Sequence, residues 1–410
     1  MHRETHLTLA FSALRHVMVI GPNGNSTSSP ESNYNGCVPF DRFVNSRDPS
    51  PRCTISTPFT ALAAALPAAN VTFMPGVALA TAQAHDGVNI AAAASACAQA
   101  DACVLVLGLR SRGRSHKATR QTDLEDEAHD RASLGLPPPQ LALARTVLAK
   151  RPSAIVVLES GGVVSEPEIM SGSHAASTLI QMFYPGGEGG HALADLFLGK
   201  VAFSGRLPVT VYDSNASIPP YFDQRMAAPP GRTHRYSRVP AMFPFGYGLT
   251  SVPILYSNFT VWPTVISATT SAQLNASVNV RCQPDNLVNQ IFAAQDEVVQ
   301  VYVGLTQTPQ GRAVDGPFRE LGNRSIPLHT LWAFRRVTID CRSRQSQRVQ
   351  FSLPASALQL MDTDGVMRVI RGGYSVFCGG TSPTTREALF RNDNNPTGPS
   401  KLLQTTFKAT

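Results

Sequence analysis

Residues 102–109 read ACVLVLGL, eight positions without a charge or a polar side chain. An uninterrupted apolar run of that length, bounded by polar residues, predicts a strand covered on both faces, and such strands belong to parallel sheets with helices on either side. The run has company. HVMVIG (16–21), SAIVVLES (153–160) and TLIQMF (178–183) read the same way, and NVTFMPG (70–76) is a weaker version. Helix-like segments alternate with them. GVNIAAAASACAQA (87–100) is rich in alanine. LPPPQLALARTVLAKRP (136–152) opens on prolines, carries Leu141, Leu143, Val147 and Leu148, and stops at Pro152. GGEGGHALADLFLGK (186–200) is a glycine-rich turn into another helix. Strand and helix in alternation predict an α/β domain, doubly wound, with a mainly parallel sheet.

The pattern changes near residue 253. ILYSNFTVWPTV, AQLNASVNVRC, DEVVQVYVGL, LWAFRRVTIDC, QRVQFSL and VMRVIRGGYSVFCGG alternate apolar and polar residues, with no helical period between them. Such runs separated by turn signals predict an all-β sandwich of immunoglobulin or fibronectin III-like type. The predicted layout is an α/β domain over 1–250, a β-sandwich over 251–382, and a polar, frayed tail over 383–410.

A length of 410 residues suits two domains, and 43% hydrophobic residues describe a globular chain. No stretch approaches 18 uninterrupted apolar residues, so no membrane span is expected. The formal charge of +7 is diffuse; its densest run, RSRGRSHKATR (110–120), lacks interleaved aromatics and reads as a solvated loop rather than a nucleic-acid surface. The seven cysteines show no CxxC and no histidine at zinc-ligand spacing, so no metal site is expected. Six glycosylation sequons, at Asn25, Asn70, Asn215, Asn258, Asn275 and Asn323, lean towards a secretory route. In that compartment Cys37 with Cys53, and Cys282 with Cys341 or Cys378, are candidate disulfides, with at least one thiol left over. The N-terminal stretch MHRETHLTLAFSALRHVMVIG is a poor signal peptide, with His, Arg and Glu first and no cleavage site.

One segment stands out in a chain poor in acid. Asp123, Glu125, Asp126, Glu127 and Asp130 fall within eight residues, just after ACVLVLGL. Ligands of an open parallel sheet bind at the carboxyl ends of its strands, which places these acids on the functional edge. A carboxyl crowded there has its pKa raised, as a general acid needs. Two blander readings stand beside this one: a solvated loop in which Asp130 and Arg131 pair locally, and a calcium site, although the spacing is not that of an EF-hand. YPGGEGG (184–190) has no phosphate-cradle pattern and reads as a loop passing close to a neighbouring strand. No G-x-S-x-G elbow and no H-E-x-x-H occur, which leaves triad hydrolases and zincins without support.

The order of motifs resembles the C-terminal portion of glycoside hydrolase family 3, and most closely its β-xylosidase branch. VMVIGPNGNST, NYNG, VLVLGL, LEDEAHDRASLGLPPPQ, IVVLESGGVV, YPGGEGGHALADLFLGKVAFSGRLPVTVY, PPGRTHRYS and FPFGYGLTS run in the family's order, followed by fibronectin-like DEVVQVYVGL, LWAFRRVTIDC and GGYSVFCGG. The resemblance implies a retaining exo-glycosidase of β-xylosidase or β-glucosidase type, acting on xylan-derived or other β-linked saccharides and needing no cofactor. It implies two carboxylates. The nucleophile is an Asp on a TIM barrel that has no counterpart in this sequence, and the acid/base is a Glu of the acidic block. Carried over, that Glu is Glu125, with Glu127 as second choice. Tyr34 in NYNG corresponds to a tyrosine lining the sugar subsite, and Asp130 and Arg131 to loop-positioning residues. His234 stands in PPGRTHRYS where the family carries an aromatic residue. A chain without the barrel is expected to have little or no activity alone; the alternative is a non-catalytic module that binds glycan or a separate barrel chain.

Overall fold

The computed structural model of the chain describes residues 13–30, 54–78, 89–110, 125, 131–269, 271–283, 292–306, 326–343, 345–362, 364–383 and 402–410. The chain forms two compact units, Met1–Val201 and Ala202–Thr410.

The first unit runs β1 (His16–Ile20), α1 (Pro58–Ala65), β2 (Asn70–Met74), α2 (Ile90–Gln99), β3 (Ala102–Gly108), α3 (Pro138–Lys150), β4 (Ile155–Glu159), α4 (Pro167–Met170), β5 (Thr178–Gln181) and α5 (Gly189–Phe197). Its five strands lie in the order β2-β1-β3-β4-β5, and every neighbouring pair is parallel. All residues of β3 and β4 are buried, because helices cover both faces of the central strands. α1 packs beside α5, and α2 beside α3. From β1 the chain winds one way to β2 and then the other way to β3, so a crevice opens at the carboxyl ends between β1 and β3. The apolar runs of the sequence are these strands. α1 is one of two helices of this unit, with the four-residue α4, that the hydrophobic pattern does not announce. Its eight residues are too few for a clear period, and its start is written instead in Thr57-Pro58, where Thr57 Oγ1 accepts from Thr60 N at 3.1 Å.

In the second unit β6 (Val211–Tyr212) pairs with β7 (Ala241–Phe243), with the short α6 (Thr233–Tyr236) between them. Then follow β8 (Ile254–Trp262), β9 (Val265–Ile266), β10 (Gln273–Cys282), β11 (Ala294–Leu305), β12 (Thr330–Asp340), β13 (Gln347–Pro354), β14 (Gln359–Met361), β15 (Met367–Val369), β16 (Gly372–Gly379) and β17 (Leu403–Ala409). A sheet ordered β13-β10-β8 and a second ordered β12-β11-β16-β17-β9 form the sandwich, and β14 with β15 makes a small hairpin. Leu274, Val278 and Val280 of β10 share its core with Val299, Val301 and Val303 of β11 and Val376 of β16.

One expectation needs correction. The segment 383–410 is not a frayed tail throughout, since 403–409 is a strand antiparallel to β16 and parallel to β9. Its polar residues alternate with Phe407 and Ala409, which are buried, and the Phe407 ring stacks on Tyr374 at 4.9 Å. A partner strand distant in sequence supplies what the local composition lacks. By packing, the compact units divide at 201/202, ahead of the expected domain boundary at 250/251. Buried polar residues of β11 hold the 202–250 segment: Gln295 Nε2 donates to Phe203 O at 2.9 Å and Gln300 Nε2 donates to Gly246 O at 3.2 Å. Such long-range polar pairing leaves no local pattern to read.

Cys282 and Cys341 form a disulfide, as do Cys97 and Cys103, while Cys378 is a buried free thiol. Of the two partners expected for Cys282 the structure selects Cys341, while the sequence gives no sign of Cys97–Cys103, which joins the end of α2 to the start of β3. Cys37 lies outside the described residues, as does Cys53. The Cys282–Cys341 bridge closes a separation of 59 residues. Replacing both cysteines by alanine is expected to cost about 4 kcal/mol by loop-closure entropy, read as a lower denaturation midpoint for the second unit. A loss under about 1 kcal/mol would mean that the bridge does not form.

Candidate functional site

The carboxyl edge of the parallel sheet gathers the described acid of the cluster. Glu125 Oε1 accepts the Gly161 N–H, and its Oε2 accepts the Gly162 N–H at 2.9 Å. Both amides lie just past the end of β4, where the chain turns away from the sheet and its N–H groups have no strand partner. Glycine is needed at both places by close approach. A Cβ on either would stand 2.9 Å from a Glu125 oxygen, and one on Gly161 would meet the Tyr184 ring at 2.6 Å.

Arg131 is a further neighbour. Its Nε stands 3.7 Å from Glu125 Oε2, and its Nη2 donates to Val163 O at 2.5 Å. Burial lowers the pKa of the guanidinium, and the Glu125 charge opposes that shift. The Tyr184 phenol is pushed far up, first by burial and then by Glu125. A carboxylate, a guanidinium and a phenol thus converge on the amides after β4. The structure brings Glu125 and Arg131 together. Tyr34, Glu127 and Asp130 lie outside the described residues.

Three groups here escape the sequence reading: Tyr184, the Gly161–Gly162 pair and Glu159. The glycine pair has a visible signal, two glycines directly after an apolar strand, the usual mark of a backbone approached closely. Glu159 has almost none, because the last residue of a buried strand is expected to be apolar. It is fully buried, and burial pushes its carboxyl up to about 7 against the opposing effect of Ser29 and Asn23.

Among the described residues no group of three or more His, Cys, Asp or Glu could hold a metal ion. No helix among them is long and apolar enough to cross a membrane. The second unit contains a cavity of about 30 Å³ lined by Thr210, His234, Phe245, His329 and Ser382 among others, with room for a water or two. Burial pushes both imidazoles down to about 4, so they are neutral near neutrality. His234 stacks on Phe245 with centroids 4.5 Å apart, filling the place of a planar aromatic side chain.

A parallel layer ordered β2-β1-β3-β4-β5 with a carboxylate seated on its carboxyl edge, followed by a fibronectin-like sandwich, defines the fold class. Residues 7–251 match the glycosyl hydrolase family 3 C-terminal domain, and residues 297–382 match the fibronectin type III-like domain. The chain belongs to glycoside hydrolase family 3, whose members are glycosidases. It is similar to a xylan 1,4-β-xylosidase of Xylanibacter ruminicola, 30% identical over 255 residues that make up 62% of this chain and 25% of that protein. It is also similar to β-xylosidase/α-L-arabinofuranosidase 1 of Medicago sativa subsp. varia, 30% identical over 60% of this chain and 28% of that protein. A solved β-glucosidase from Erythrobacter marinus shares the fold, with a TM-score of 0.69 and 24% identity over 100% of this chain and 48% of that one. The chain therefore spans about a quarter of the length of these curated relatives.

Proposed function

We propose that these residues are the α/β and fibronectin-like part of a retaining exo-β-glycosidase of β-xylosidase or β-glucosidase type, in which the acidic loop supplies the general acid/base. Glu125 is its first candidate and Glu127, two residues on, the alternative. One observation carries the reading: the Glu125 carboxylate is held on the carboxyl edge of the sheet, where α/β domains meet their ligands. Each oxygen accepts one backbone N–H and keeps a lone-pair direction free for a proton passed to a leaving glycosidic oxygen. In a retaining reaction that carboxyl protonates the leaving group, then takes a proton from the water that opens the glycosyl–enzyme ester. Arg131 holds the loop by facing the carboxylate.

The nucleophile of that reaction has no counterpart here, so the purified chain is expected to turn over aryl β-xylosides and β-glucosides little or not at all. Addition of a family 3 barrel protein supplies the missing half for the test. In the reconstituted enzyme, E125Q is expected to lower kcat by about 10²–10⁴-fold while E127Q has a smaller effect. The reverse order assigns the proton to Glu127. Full activity in both variants would sink the reading and favour a non-catalytic glycan-binding module. We further propose secretion as a glycoprotein. The sequon residues Asn25, Asn70, Asn215, Asn258 and Asn275 are all exposed, and two disulfides are present. A eukaryotic secretory host is expected to yield a product whose mass falls on endoglycosidase treatment.

A further inference from the structure

The turn Pro220–Asp223 of the second unit carries its two largest side chains on the outside. Asp223 N donates to Pro220 O at 3.0 Å, which puts Tyr221 and Phe222 at the two central positions of a β-turn. Tyr221 is 65% exposed and Phe222 91%, and Met226 is exposed as well. Single apolar residues are common on protein surfaces, but adjacent rings on one turn mark a place where something binds. The two rings stand edge to face, with centroids 5.3 Å apart and planes at 79°.

The turn is braced in this shape. Arg232 Nη2 donates to Pro220 O and to Asp223 O, each at 2.9 Å, and Arg232 N donates to Met226 O at 2.8 Å. Arg225 grips the Asp223 carboxylate through Nε at 3.0 Å and Nη2 at 2.7 Å. That grip holds the Asp223 carboxyl down at about 2, so the brace stays intact from mildly acid pH upwards. A ligand therefore meets the rings already in place and loses little freedom in ordering them.

Size, charge and ring geometry together select the ligand. The rings offer no more than about 500 Å² between them, short of the roughly 800 Å² that each partner brings to a stable protein interface. Asp223 and Arg225 cancel within 219–226, so the patch has no net charge to attract an ion. A neutral sugar fits both conditions, because its C–H groups carry partial positive charge and stack on the negative face of an aromatic ring. The ring spacing is comparable to the length of one residue in a β-1,4-linked chain. The steep angle between the planes cannot serve a flat ribbon such as cellulose on both faces at once. It suits a chain that twists from residue to residue, as β-1,4-xylan does. We propose that the Pro220–Asp223 turn is a non-catalytic binding platform for a neutral, twisted β-linked chain of the xylan type, with Tyr221 and Phe222 stacking on successive sugar residues. The choice of a β-linked saccharide rests on the glycosidase reading above, whereas the exposure, bracing and angle of the rings do not.

The test reads binding without turnover, so its failure and that of the glycosidase reading remain distinct. The full chain is expected to be retarded in native gels containing soluble arabinoxylan. In calorimetry it should bind xylohexaose saturably, with cellohexaose at least about tenfold weaker. F222A should lower the xylohexaose affinity by about tenfold or more, with an unchanged unfolding midpoint because the ring is exposed. F222W keeps a stacking face and should retain binding. Undiminished binding in F222A, equal affinity for the two hexaoses, or no binding by the wild type overturns the proposal. So does a concentration-dependent dimer that F222A abolishes, or binding of a family 3 barrel protein that F222A abolishes, since the rings would then belong to a protein interface.

Discussion

Arg206→Ala is expected to destabilise the second unit by about 3–5 kcal/mol. The cause is the charge it leaves behind. Glu297, on β11, is fully buried, and its Oε2 pairs with Arg206 Nη2. Its Oε1 accepts from the Tyr256 hydroxyl at 2.7 Å. Arg206 also donates through Nη1 to Gly248 O, so one guanidinium ties the 202–250 segment to β11 at two points. Without it Glu297 keeps only a neutral phenol, and the desolvation cost of its charge goes unmet. Arg206→Lys should cost less, because the positive charge remains while the fork that reaches both partners is lost. The double substitution R206M/E297M should recover most of the stability, because the attraction of a buried pair roughly offsets its desolvation. Denaturant unfolding of the second unit distinguishes these cases. A loss below about 1 kcal/mol in Arg206→Ala would show that Glu297 is not charged or not buried in solution.

Gly108→Ala should be comparably harmful to the first unit, by at least about 3 kcal/mol. Gly108 ends β3 at φ +150°, a conformation that side chains rarely adopt, and a Cβ there would lie 1.8 Å from the backbone oxygen of Glu159. The neighbouring strand cannot retreat, because Leu109 N donates to that same oxygen at 2.8 Å. The buried Gln140 side chain accepts from Gly108 N and donates to Gly108 O, each at 2.8 Å, which fixes this backbone from the other side. Gly205→Ala is the matched control. A Cβ at Gly205 meets nothing within 4 Å, so its effect should stay within about 0.5 kcal/mol. Unfolding curves of the two variants decide the matter, and equal midpoints would refute the close approach of β3 to β4.

The sequence by itself determined the strands of the α/β layer, because burial on both faces demands apolar residues at every position of 102–108 and 155–158, a local and unmistakable signal. It determined the sandwich through alternation, as in β13, where buried and exposed residues alternate from Val349 to Pro354. It also located the acidic loop on the ligand edge, since strand direction follows from the order of elements. Only the tertiary structure decided where polar groups inside the fold find their partners. Glu297 with Arg206, Gln295 with the Phe203 carbonyl, and the Glu125 carboxylate on the amides after β4 join residues 36 to 92 positions apart. Hydrophobic burial is non-directional and leaves its period in the chain, whereas a hydrogen bond needs a particular atom at a particular place, which exists only once the strands have assembled.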